Sequence, residues 1–288
     1  MKHITHIVLI IFTLSFGAQL SAQEAGIQKL SDNVYSLFLY HYQSIVVIGD
    51  KGVLITDPAN TGRAALLKSE ITKLTNLPVT KIVLSHEHYD HVGGTEVFPN
   101  AEIYAHNATK PVFRLDVTGQ APKEVHHYVG DKTTLVLGKT KVNLLHYGAA
   151  DGVGMLAVHL PKESVVYSAD LYEAGSITQG AFIADSNHLG IRKLLNALVA
   201  YKPKYAITTH SADISPKHLE LAADFYNDLF DAVEPILQAA MKESFAATMA
   251  VVNTLPKQVK LPKYKDLGNY NDLAAHVERM VYSIFHGG

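Results

Sequence analysis

The run His86-Glu87-His88-Tyr89-Asp90-His91 puts three histidines and an aspartate, all metal-competent, within six residues. His86 and His88 are two apart, so in an extended segment both rings leave the chain on the same side. A turn into a helix or loop after Tyr89 lets Asp90 and His91 converge from the other side. Packed in an apolar interior, such a set would carry unpaired polar atoms and at least one costly charge, which argues against a role in packing alone. The chain has 16 histidines and no cysteine, so a metal must be held here by imidazoles and carboxylates. The lack of cysteine also excludes disulfides, thiolate metal sites and cysteine nucleophiles. No Gly-x-Ser-x-Gly elbow occurs, which fits a nucleophile made from water by a bound metal.

The cluster follows directly on Lys81-Ile82-Val83-Leu84-Ser85, an apolar run that reads as a buried strand. Further strands are predicted over 34–39, 45–48, 53–56, 101–104, 134–137, 142–145, 155–160, 165–168 and 205–208, with 40–43 as the turn between the first two. Helical spacing marks 63–74, 190–200, a long stretch from 216 to about 244, and 273–285. Strands interleaved with helices predict α/β layers. Pro256, Pro262 and the lysines at 257, 260, 263 and 265 predict an exposed connection before the last helix. With 288 residues and 48% hydrophobic content the chain buries a large core. The balance of 25 basic against 27 acidic residues, without a concentrated basic face, argues against a nucleic-acid binder.

His86-x-His88-x-Asp90-His91 after a buried strand, followed by Gly93-Gly94, resembles the signature of the metallo-β-lactamase-fold superfamily. Three later or earlier stretches extend the resemblance in the right order. Gly52-Val53-Leu54-Ile55-Thr56-Asp57 resembles the strand that ends in an aspartate beneath the site. Val165-Val166-Tyr167-Ser168-Ala169-Asp170 resembles the strand that delivers a metal-bridging aspartate, and Ile207-Thr208-Thr209-His210 the one that delivers the last histidine. The resemblance implies an α/β four-layer αββα sandwich with two metal ions, usually zinc, bridged by a hydroxide. One position departs from the pattern. Where the family has a histidine in a GHTxG-like run, this chain reads His146-Tyr147-Gly148-Ala149-Ala150-Asp151-Gly152-Val153-Gly154, with Asp151 in the histidine's place. His146 lies five residues too early and closes the strand 142–145. The resemblance therefore assigns His86, His88 and Asp151 to the first ion, Asp90, His91 and His210 to the second, and Asp170 between them. A carboxylate in the first set shifts its preference towards harder ions such as Mn or Fe. A crippled first set, with one ion per chain, is the competing reading.

Asp90, beside the reacting water, would orient it and shuttle its proton to the leaving group. Asp57 would hold a ligating imidazole through its second nitrogen, or would simply be the turn residue before Pro58. Tyr40, His41 and Tyr42 stand where the family often has a flap, and His188 lies in the aperiodic stretch after Asp170, so all four are candidate substrate contacts. Few arginines and no anion clamp argue mildly against a phosphodiester substrate. The expected activity is hydrolysis of a small ester, lactone, lactam or related amide, with Asp151 counting against full lactamase efficiency. A mononuclear iron oxygenase like the superfamily's persulfide dioxygenases and a non-catalytic metal-binding accessory protein are the alternatives.

At the N-terminus, Lys2, the apolar run 7–12 and the small residues ending at Ser21-Ala22 predict a signal peptide over 1–22 rather than a spanning helix. The expected organisation is a domain over 23–250 and an extension over 251–288 with a helix packed on that domain. The expected setting is secreted or periplasmic, with a small-molecule substrate and no stable membrane association after cleavage.

Overall fold

The computed structural model describes residues 26–287, so the predicted signal segment lies outside the described residues. Seven strands form the first sheet in chain order: β1 (Gly26–Lys29), β2 (Val34–Leu39), β3 (Tyr42–Ile48), β4 (Val53–Thr56), β5 (Val79–Val83), β6 (Glu102–His106) and β7 (His127–Val129). The pairs from β1 to β4 are antiparallel and those from β4 to β7 parallel. Parallel neighbours need crossovers. Here α1 (Thr61–Leu74), the short α2 (Tyr89–Val92) and α3 (Thr109–Phe113) lie in those connections. The second sheet holds β8 (Lys132–Leu137), β9 (Thr140–His146), β10 (Leu156–Leu160), β11 (Val165–Tyr167) and β12 (Tyr205–Ile207), in the order β12-β11-β10-β9-β8. Its one parallel pair, β11 with β12, is crossed by α4 (His188–Ala200). The chain ends in α5 (Pro216–Glu243), α6 (Phe245–Gln258) and α7 (Leu273–His286).

Alternation along the first sheet builds the layers. Val46, Val53, Ile55 and Ile82 pack with Ala64, Leu67 and Ile71 of α1. Their neighbours Ile45, Val47, Leu54 and Val83 face the opposite way. They share a core with Leu144, Val158 and Val166 of the second sheet, which continues to Leu194 of α4 and Leu229 of α5. Helix, sheet, sheet and helix follow in that order, the αββα arrangement.

Several elements differ from the sequence reading. β3 starts at Tyr42, leaving only Tyr40-His41 as the turn. The predicted exposed connection around Pro256 is instead the last turn of α6. Thr248, Val252 and Leu255, spaced by four and three, are buried on one face of that helix, and this burial offsets the one backbone hydrogen bond that Pro256 removes. Position 250, the expected domain boundary, falls inside α6, and Val252, Leu255, Met280 and Val281 belong to the core of the second sheet. Among the described residues no helix is long and apolar enough to cross a membrane.

His188 and His276 are buried where α4 meets α7. Their Nε2 and Nδ1 atoms lie 3.3 Å apart, and His276 Nε2 donates to Thr178 O at 2.8 Å. Burial pushes the His188 ring well below the ordinary histidine range and the His276 ring down to about 4. Both are neutral in the fold but charge in the unfolded chain below about pH 6.5, so acid favours unfolding. Stability should therefore fall between pH 6.5 and 4, by on the order of 3 kcal/mol from His276 alone. Denaturant titrations of chelator-treated protein at pH 7 and 4 will measure this, and His276→Gln should lose less on acidification; an equal loss would refute it.

Candidate metal centre

The histidine run begins where β5 ends and turns at once into α2, so its side chains gather at one edge of the paired sheets. The loop between β9 and β10 brings Asp151 to that edge, the end of β11 brings Asp170, and the end of β12 brings His210. Two groups result. The ligand atoms of His86, His88, Asp151 and Asp170 lie within 4.8 Å of one another, as do those of Asp90, His91, Asp170 and His210. Asp170 belongs to both.

Within the first group, His86 Nε2 and His88 Nδ1 each lie 3.3 Å from Asp151 Oδ2. In the second, His91 Nε2 is 2.8 Å from Asp170 Oδ2, and His210 Nε2 is 3.4 Å from Asp170 Oδ1. Each imidazole is held by its other nitrogen: His86 Nδ1 by Ser85 Oγ at 2.8 Å, and His91 Nδ1 by Asp57 Oδ2 at 3.3 Å. His210 Nδ1 is held by His41 O at 2.9 Å, and His88 Nε2 by Asp185 Oδ2 at 3.3 Å. Such contacts fix ring orientation and tautomer, leaving one nitrogen of each ring aimed inward.

The inward atoms lack partners. Among the described residues, His86 Nε2, His91 Nε2 and Asp170 Oδ1 are buried without a hydrogen bond, the His91 contact with Asp170 being close but misaligned. Buried polar atoms are costly when unpaired. A donor set of imidazole nitrogens and carboxylate oxygens with open valences suits divalent cations. Ionisation is pushed in opposite directions over the same few ångströms. Burial, then Asp170, drives the Asp151 carboxyl up to about 7. Burial also acts against charge at Asp170, but His91 and His210 outweigh it and hold that carboxyl well below its usual range. His86 is pushed well down by burial and by His91 and His88. His88 and His91 are both raised, against burial, by the carboxylates beside them, His88 to about 9. Buried charges of both signs sit closer than water can screen.

Three residues that the sequence reading passed over hold this arrangement in place. Glu87, 7% exposed, accepts the backbone N–H of Val153 at 2.6 Å and of Gly154 at 3.0 Å, pinning the loop that carries Asp151. Gly154 is required there, since a Cβ would lie 2.1 Å from Thr109 Cγ2. Arg63, 2% exposed, donates to Leu39 O, Tyr42 O, Asp57 O and Ser44 Oγ. It braces the β2–β3 turn, where Tyr40 and His41 both adopt positive φ (48° and 65°) without a glycine. Asp185 was hidden in the aperiodic stretch after Asp170. Glu87 fills a variable position of the histidine motif and the other two lie outside any motif; each acts through a contact distant in sequence or around a turn.

The groups open into a cleft of about 590 Å³ lined by His41, Tyr42, His88, Asp90, Asp151, Asp170 and His210 on the ion side. Tyr42 Oη donates to Asp90 Oδ2 at 3.2 Å. Asp57 is buried and accepts from Ser85 N, His91 Nδ1 and Tyr167 Oη, which is more than a turn residue would do. Two expected substrate contacts fall elsewhere. Tyr40 is exposed on the turn outside the cleft lining. His188 is the first residue of α4, fully buried against His276 and Ser186, because helix packing claims its ring. A third trio, His106, Asp131 and His146, also clusters. Its two rings stack face to face, 3.7 Å between centres and 18° between planes, so their lone pairs run side by side instead of converging.

Glu87→Ala should leave two amides unpaired and destabilise the fold by about 1–3 kcal/mol. It should also weaken metal binding at the Asp151 group, whereas Glu87→Gln should retain most of both. Thermal melts and chelator-competition titrations test this, and unchanged metal affinity in the alanine variant would contradict it.

The family model of the metallo-beta-lactamase superfamily matches residues 39–210. The beta subunit of 2,4-dinitroanisole O-demethylase from Nocardioides sp. is 25% identical over 219 residues, covering 75% of this chain and 68% of that protein. A "probable hydroxyacylglutathione hydrolase" of Schizosaccharomyces pombe is 26% identical over 180 residues, covering 59% of this chain and 64% of that protein, less than two thirds of its length. A solved metallo-beta-lactamase from Pontibacter korlensis aligns with a TM-score of 0.59 at 19% identity, over 71% of this chain and 100% of that one. That likeness speaks to the fold. The family match runs from the end of β2 to His210 and takes in every residue of both side-chain groups, and the chain belongs to the metallo-beta-lactamase superfamily.

Proposed function

We propose that the protein is an exported two-ion metallohydrolase that cleaves a small ester, lactone, lactam or related amide. The observation that carries this reading is the pair of four-residue groups sharing Asp170. His86, His88 and Asp151 would hold one ion, Asp90, His91 and His210 the other, with Asp170 between them. Zinc suits the imidazole-rich donors, and the Asp151 carboxylate makes Mn or Fe acceptable in the first group. When bound, such ions supply Lewis acidity and a water acidified towards neutral pH.

The chain's own residues supply the rest. Asp90 faces the cleft beside the second group, placed to take a proton and return it to the leaving group. Tyr42 orients that carboxylate through its hydroxyl. Burial and Asp90 push the Tyr42 phenol up to about 12, so it stays a neutral donor. His41 offers its carbonyl to His210 and its side chain to the cleft wall. A complete second group supports two ions over a single-iron oxygenase, and an open cleft beside the ions supports turnover over an accessory role. The name of the Nocardioides relative adds an aryl methyl ether to the bonds worth testing. Export after removal of 1–22, and a small-molecule substrate, belong to the same proposal.

A panel of chromogenic esters, lactones, nitrocefin and an aryl methyl ether tests the reading. No turnover of any, with two ions bound per chain, would defeat it. Asp90→Asn should lower kcat by roughly 10²–10⁴-fold while the His86 group keeps its ion, read by metal analysis. Asp151→His should keep or tighten metal binding and Asp151→Ala should lose it; indifference to both would remove Asp151 from the ligand set.

A further inference from the structure

We infer that this cleft selects an uncharged substrate with an aromatic or apolar body and discriminates against anions. The inference deepens the hydrolytic reading and rests on it for the reacting end of the molecule. At the ion side, Asp90, Asp151 and Asp170 offset most of the charge of two divalent ions, so the outer wall decides what else is welcome. That wall consists of Tyr172, Glu173, Thr178, Gln179 and Phe182.

Among the described residues that line the cleft, none is a lysine or arginine, and the same holds for the adjoining groove past Asp185. The two arginines that approach are engaged elsewhere. Arg63 spends its donors on backbone and hydroxyl oxygens beneath the β2–β3 turn. Arg279 donates through Nε to Ser186 O and lies near enough to Asp185 to act on its charge, but is not among the lining residues. The one charged group of the wall is Glu173, which takes a hydrogen bond from Asn269 and has no cation within ion-pair distance. Away from the ions, an anionic substituent would therefore meet a like charge and no lysine or arginine of the lining.

The apolar part of the wall is presented deliberately. Phe182 is 67% exposed and lines the cleft, so its ring is open to a bound molecule. It ends a short helical turn, Gly180–Phe182, whose first N–H is held by Asp272 Oδ2 at 3.1 Å. The turn packs so closely on α7 that a Cβ on Gly180 would lie 2.9 Å from Ala275 Cβ. The backbone beneath the ring is thus anchored at the mouth of a cleft that Tyr42 also lines. Aromatic walls of this kind take flat apolar bodies.

The test compares matched pairs on the metal-loaded protein. For turnover, 4-nitrophenyl butyrate is set against 4-nitrophenyl hemisuccinate, and the uncharged ester should win by at least about tenfold in kcat/KM. For binding, benzohydroxamic acid is set against its 4-carboxy derivative by calorimetry, with the same order expected. Phe182→Ala should raise KM for 4-nitrophenyl benzoate more than it lowers kcat. Gln179→Lys, at an exposed position, should cut the discrimination at least fivefold by admitting the anion. Equal or better performance of the anionic members in both pairs overturns the inference, as does a Gln179→Lys variant with unaltered ratios. If neither ester turns over but the hydroxamate preference persists, the hydrolytic reading falls and the charge selection stands.

Discussion

Asp57 closes β4 in a left-handed conformation, φ 37°, with its carboxylate 1% exposed and ringed by donors. Ser85 N–H comes from the end of β5, His91 Nδ1 from α2, and Tyr167 Oη from β11 in the other sheet. One buried charge thereby joins both sheets to the turn that carries the histidines. A charge so placed is tolerable only while its partners remain, because losing one leaves it unpaired in the interior. The backbone conformation is held from the other side, since Asp57 O accepts from Arg63 Nη1 at 2.9 Å and from Ser44 Oγ at 3.2 Å. Strain of this kind persists where the surroundings over-determine it, and functional sites are where it collects.

Much of this was visible in the sequence because the site is built on strand ends. An apolar run that stops at a His or Asp marks both the strand and the side chain it delivers, plainly at Ser85-His86 and, through the family resemblance, at Asp170 and His210. Asp151 was legible only through the resemblance, standing where the family has a histidine, and it reaches the same edge as His86 and His88. Glu87, Arg63 and Asp185 were not legible, because their importance lies in a contact with a remote loop, carbonyl or ring. Nothing in a lone buried arginine's neighbours in sequence says that it will brace a hairpin.

The missed elements have equally local causes. β1 alternates intermediate and exposed positions at the sheet's edge, and β7 is three residues long, so neither carries a strong apolar period. In α6 Pro256 and Lys257 carry the composition of a connection, whereas the spacing of Thr248, Val252 and Leu255 carries the helix's buried face. His188 shows the reverse error. A polar ring in an aperiodic stretch looked available, yet its neighbours Ser186 and His276 absorb both nitrogens in the interior.

Glu87 stands between His86 and His88 and grips the amides of 153 and 154. Three of the ion-facing side chains, His86, His88 and Asp151, therefore sit on two stretches of backbone clamped to each other, as a plate bolted at both ends. Guests of different shape meet instead the wall supplied by Tyr172, Glu173, Thr178, Gln179 and Phe182. The floor is bound to be intolerant of sequence drift and the mouth permissive, so descendants of this chain would change their diet by rewriting the mouth alone.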